Sequence, residues 1–117
     1  MLVSSLLLAG VVGCDAGPAG TAPEGADSDR GLRLLAQYQC GSCHAIPGVA
    51  AARGVQGPSL EAFGKRSYIA GRIPNRADLL ARWISAPQSL VPDTAMPSMG
   101  VAAADARDMA AYLGRLQ

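Results

Sequence analysis

Two cysteines and a histidine are pressed into five residues, Cys40-Gly41-Ser42-Cys43-His44, and this run limits what the chain can build more than any other feature. The third cysteine, Cys14, stands far away, and His44 is the single histidine. An odd, unevenly spread set of thiols implies no disulfide framework. A structural zinc site needs four ligands, and the chain's only Cys and His are these, one of them far from the rest. A thioredoxin-like pair needs a strand–helix–strand setting, and no stretch alternates like a strand. The spacing suits covalent capture of a haem. Thiols three residues apart lie about one helical turn from each other, within reach of the two vinyl groups of one haem, and the adjacent imidazole then falls beneath the iron.

The bulk of the chain is consistent with a buried group of that kind. At 117 residues, half of them hydrophobic, it fits one compact domain with something extra at one end. A net charge of +1 excludes a nucleic-acid binder that works by charge, and no apolar run reaches the roughly 20 residues of a membrane-spanning helix. One Phe, one Trp and three Tyr are few for a globule of about 90 residues, and small domains with thin cores commonly need a prosthetic group or a staple.

Residues 1–13 read as a signal peptide, because Leu2 to Val12 is nearly all apolar or small yet too short to span a bilayer. The segment ends Val11-Val12-Gly13-Cys14, which resembles the lipobox of bacterial lipoproteins, although no Lys or Arg precedes the apolar stretch. The resemblance implies acylation of Cys14 and a lasting membrane anchor, at roughly 0.8 kcal/mol per buried methylene. The alternatives are a plain signal or an ordinary membrane-proximal cysteine. Residues 14–27 are rich in Gly, Pro and Ala and read as a flexible tether with an r.m.s. span of about 20 Å. Asp15 resembles an inner-membrane retention signal.

A domain over 28–117 follows. Ser28 is a suitable cap for a first helix bearing Leu32, Leu35 and Ala36 on one side and running into the cysteine motif. A loop fills Ala45 to Leu60, with a short turn at Leu60 to Phe63. Asn75 can cap a helix over Arg76 to Ala86 whose apolar face is Leu79, Leu80, Trp83 and Ile84, with Pro87 as its stop. Ala106, Met109, Ala110, Leu113 and Leu116 recur at helical spacing in a last helix over Ala103 to Arg115. The fold class is all-α, three main helices joined by long loops, and loops this long in a small domain wrap something.

With one histidine, the iron's other axial position falls to a methionine, to something weaker, or stays open. Met1 lies in the signal and Met109 reads as core filler. Met96 and Met99 remain, both in the Pro-rich loop before the last helix. There Met96-Pro97, followed by Gly100-Val101 and a helix ending Ala110-Ala111-Tyr112-Leu113, resembles the distal loop of class I cytochromes c. The similarity spans Asp29 to Leu116 and includes, in order, Gly31, Gly57-Pro58-Ser59-Leu60, Arg66, Pro74-Asn75, Leu80-Ala81-Arg82-Trp83-Ile84 and Met96-Pro97. The strings Ile69-Ala-Gly-Arg-Ile-Pro-Asn75 and Ala81-Arg-Trp-Ile-Ser-Ala-Pro-Gln88 are most similar to the cytochrome c domain fused to subunit II of bacterial haem–copper oxidases.

The resemblance implies the class I cytochrome c fold around one covalently bound haem c, with Cys40 and Cys43 as attachment sites and His44 and Met96 as iron ligands. It implies that the Pro58 carbonyl accepts the His44 ring proton, where the residue alone reads as a turn. It also implies that Trp83 and Arg66 meet the haem propionates, where they otherwise read as core and solvated surface. Gly31 against the last helix, beside Tyr112, resembles the family's crossing of first and last helices. The implied function is single-electron transfer between membrane respiratory complexes, or as a subunit of one such as a terminal oxidase. No substrate is transformed and no nucleic acid is bound. The location is extracytoplasmic, on the periplasmic side of a membrane and most simply the inner one. The alternative is a haem c enzyme or gas sensor with an open or displaceable sixth position. Six basic residues between Arg53 and Arg82, against Glu61 and Asp78, also suggest a positive surface that an acidic partner would fit.

Overall fold

The computed structural model describes residues 22–117, so the signal-like segment, Cys14 and most of the tether lie outside the described residues. Three helices carry the architecture: α1 (Ser28–Gln37), α2 (Ala77–Ser85) and α3 (Ala103–Gly114). The all-α expectation holds, with one small addition. β1 (Tyr68–Ile69) pairs antiparallel with β2 (Ile73–Pro74) across a turn that holds Ala70 and Gly71 at positive φ. Strands of two residues are too short to show alternation, which is why the sequence concealed them.

α1 buries Gly31, Leu34 and Leu35, a spacing that places all three on one face. Its cap is Asp27, not Ser28. The Asp27 carboxylate accepts the Arg30 N–H at 2.8 Å while its own N–H donates to Asp108 Oδ1 at 2.9 Å; the Ser28 hydroxyl instead accepts from Arg115. Both residues suit a cap, and the long-range bond to Asp108 decides between them. At α2 the cap position falls to Arg76, which makes no side-chain capping bond. The Asn75 side chain turns away to donate to the Phe63 and Arg66 carbonyls at 3.1 and 2.9 Å, tying down a short 3-10 turn, Phe63–Lys65.

α3 packs against both other helices and buries Ala106, Met109, Ala110 and Leu113 almost completely, which confirms Met109 as a core residue. It meets α1 at Gly31, where an added Cβ would run into the backbone of Asp108 and Met109. Tyr112, one turn further along α3, donates its hydroxyl to the Pro47 carbonyl at 2.7 Å, beside Gly48.

A polar cluster rivets α1 to α3. Arg30 pairs with Asp105 and, at 2.6 Å, with Asp108, and the Tyr38 hydroxyl donates to Asp105 at 2.7 Å. The Tyr38 hydroxyl, then Arg30, hold the Asp105 carboxyl below the ordinary carboxylate range; the Asp27 N–H, then Arg30, do the same for Asp108. The unfolded chain therefore takes up these protons more readily. The stabilisation is complete above the ordinary aspartate pKa of about 4 and is lost as pH falls through the lower folded values. Melting temperature should drop on acidification below about pH 4, and Asp108→Asn should flatten that acid limb. An identical limb in variant and native protein would show that the cluster is not the cause.

Candidate functional site

The cysteine motif is shaped by the backbone around it. α1 stops at Tyr38, and Gln39 adopts left-handed φ of 59° and redirects the chain into a 3-10 turn, Cys40–Ser42. The Cys43 and His44 N–H groups both return to the Cys40 carbonyl, at 3.2 and 3.1 Å, so the two thiols and the imidazole are presented from one turn. The loop after the motif folds back and fixes it. Gly54 N–H donates to the Gly41 carbonyl at 3.0 Å, Gly57 N–H to Cys43 at 2.7 Å and Leu60 N–H to Ala45 at 2.8 Å. Cys40 and Cys43 are free and half-buried, and burial pushes the Cys40 thiol up.

His44 is oriented from behind. Its Nδ1 lies 2.6 Å from the Pro58 carbonyl, which has no proton to give, so Nδ1 is the donor and the neutral ring has its lone pair on Nε2. A Cβ on Gly57 would strike the same ring, so glycine is what permits this approach. Such a bond fixes the tautomer and ring angle of a metal-binding histidine.

The two loop methionines differ sharply. Met96 is half-buried against the core, its N–H donates to Thr94 Oγ1 at 3.2 Å and its carbonyl accepts from Gln88 Nε2 at 2.8 Å. Met99 is 49% exposed. Trp83 is buried among the helices. Arg66 stacks over Phe63 at 5.3 Å and donates to the Ser59 carbonyl, which braces the loop that carries Pro58. Among the basic residues, Arg76 pairs with Asp78 at 3.1 Å, and Arg72 lies 4.0 Å from Asp93. Gln88 and Thr94 escaped the sequence reading, because nothing in their local pattern marks them.

The family described as cytochrome c matches this chain over residues 28–117. The chain belongs to the cytochrome c family. It is also similar to cytochrome c oxidase subunit 2 of Alkalihalophilus pseudofirmus, with 33% identity over 91 residues. That match covers 77% of this chain but 26% of the relative, so the chain spans about a quarter of that protein's length. Membership in the cytochrome c family brings covalently bound haem c and haem-based electron transfer. The residues present fit the group: two free thiols on one turn, and an imidazole whose Nε2 is left with its lone pair by the Pro58 bond. Among the described residues no three His, Cys, Asp or Glu side chains gather to hold a metal ion by themselves.

Proposed function

We propose that this cytochrome c domain is a membrane-tethered carrier of single electrons holding one haem c, with His44 and Met96 as axial ligands. When bound, the haem supplies an iron that cycles between its ferric and ferrous states. The chain's own part is to hold that iron in one geometry in both. Cys40 and Cys43 would provide the thioether links, and Pro58, by holding His44 Nδ1, would leave Nε2 to hold the iron. The observation that carries the choice of Met96 over Met99 is the contrast between them: one half-buried and hydrogen-bonded at both backbone groups, the other exposed. Held by the Met96 thioether and the His44 imidazole, a bound haem iron would have a raised potential, which favours electron transfer over oxygen chemistry. Trp83 and Arg66 are proposed to face the propionates, Trp83 through its indole N–H and Arg66 from the brace beside Pro58.

Residues 1–13 are proposed to be removed as a signal, Cys14 to be acylated, and residues 14–27 to tether the domain on the periplasmic side of the inner membrane. Likeness to part of an oxidase subunit supports a respiratory complex as partner. The ferric holoprotein is expected to show a thioether-to-iron band, and its ferrous form to ignore carbon monoxide. Met96→Ala should abolish the band, admit carbon monoxide and lower the potential by on the order of 0.1 V, a modest part of the roughly 0.8 V that axial ligation commands. Carbon monoxide binding by the native protein would replace the carrier with a gas-binding reading. Partition of the mature protein into detergent, lost in Cys14→Ser, checks the anchor; native protein that stays in water would remove it.

A further inference from the structure

We infer that Gln88 is a positioning residue for the Met96 thioether, an inference that rests on Met96 being the sixth ligand. Gln88 sits in a 3-10 turn, Pro87–Ser89, that directly follows α2. The turn is a firm platform: Pro87 is fully buried, and the Leu90 and Val91 N–H groups both return to its carbonyl, at 3.1 and 3.0 Å. From it the Gln88 amide reaches across to donate to the Met96 carbonyl at 2.8 Å.

The receiving loop has little order of its own. Thr94 N–H donates to the Val91 carbonyl at 3.1 Å, and the Thr94 hydroxyl accepts from Met96 N–H at 3.2 Å. Pro97, next along, has no N–H to contribute. The Thr94 bond is local, two residues away, and moves with the loop. The Gln88 bond is the one that ties Met96 itself to the end of α2. With the peptide planes on both sides of its Cα held, the direction of the Met96 Cα–Cβ bond is set, and only side-chain rotamers remain free. Gln88 is exposed, so removing its amide frees a carbonyl that water can satisfy. The overall fold should be little affected while the loop opens more often.

Losing one such bond should raise the open population of the loop roughly 2- to 10-fold. The test uses the ferric holoprotein and follows loss of the thioether-to-iron band as imidazole displaces the ligand. Gln88→Leu, and Gln88→Glu, which keeps the length but cannot donate at neutral pH, are expected to speed displacement by that factor with melting temperature nearly unchanged. Ser98→Ala, which removes a longer 3.4 Å bond from the same loop to the Ser85 carbonyl, should leave the rate as it is. Unchanged rates in both Gln88 variants overturn the inference and leave Met96 as ligand untouched. Equal acceleration by Ser98→Ala also overturns it, since the effect would then be general loosening of the loop. A thioether band that survives Met96→Ala removes the ligand reading and the inference together, a failure distinct from the other two.

Discussion

Protein in which both Cys40 and Cys43 are replaced by alanine is expected to give up all of its haem to acidified organic solvent, whereas the native protein keeps it. The alanine side chain has no sulfur to form a thioether, and Cys14, outside the domain, is no substitute. The same variant should lose its cooperative thermal transition. Its buried aromatic side chains are Phe63 and Trp83, and its largest fully buried side chains are Leu35, Ile69, Met109 and Pro87, a thin interior for a domain of this size. A macrocycle fastened to the Cys40–His44 turn, as proposed, would add apolar surface that the chain does not supply. Haem retained through the extraction, read as colour on a denaturing gel, would show that attachment lies elsewhere.

Gly31→Val is the second large effect, and it strikes the fold and not the cofactor. The added carbon would occupy space already filled by the Asp108 carbonyl, a backbone group that cannot swing aside as a side chain does. α1 must lift from α3. That movement stretches the pairings of Arg30 with Asp105 and Asp108 and the bond from Asp27 N–H to Asp108. Overpacking costs about 1–3 kcal/mol where side chains can adjust, and here the upper end or beyond is expected. At about 4–8 °C per kcal/mol for a domain of this length, the melting temperature should fall by roughly 12 °C or more. A variant that melts within a degree or two of the native protein would mean that the helices do not cross this closely.

The faces of α2 and α3 are legible in the sequence because the positions that meet the core recur every three or four residues, Leu80 with Trp83 and Ile84 and Ala106 with Met109, Ala110 and Leu113. On α1, by contrast, only Leu35 of the expected Leu32, Leu35 and Ala36 is fully buried: Leu32 is half-buried, Ala36 is exposed, and Gly31 and Leu34 complete the face. The geometry of the cysteine motif is legible for a similar reason, since its two thiols and imidazole are contained in one turn. What the sequence hides is whatever depends on distant partners. Asp27 and Ser28 are equally good caps locally, and the choice rests on Asp108, 81 residues away. Asn75 has the composition of a cap, yet it serves two loop carbonyls. The Arg30 cluster draws on residues from both ends of the domain, which no local window reveals. Pro58 was readable only through resemblance, because a proline before a Ser-Leu pair announces a turn and says nothing of the imidazole that its carbonyl meets.

The crossing of α1 with α3 has a consequence for the order of events in folding. The core joins the first helix of the domain to its last, so contacts that hold it span nearly the whole sequence, and closure of that kind is slow. A chain that emerges amino end first exposes the Cys40–His44 segment long before Met109 and Leu113 arrive to seal the interior. The two thiols therefore spend that interval on an open chain, reachable by whatever attaches the haem. Closure of α1 on α3 is therefore expected to come after the thiols have been open to attachment.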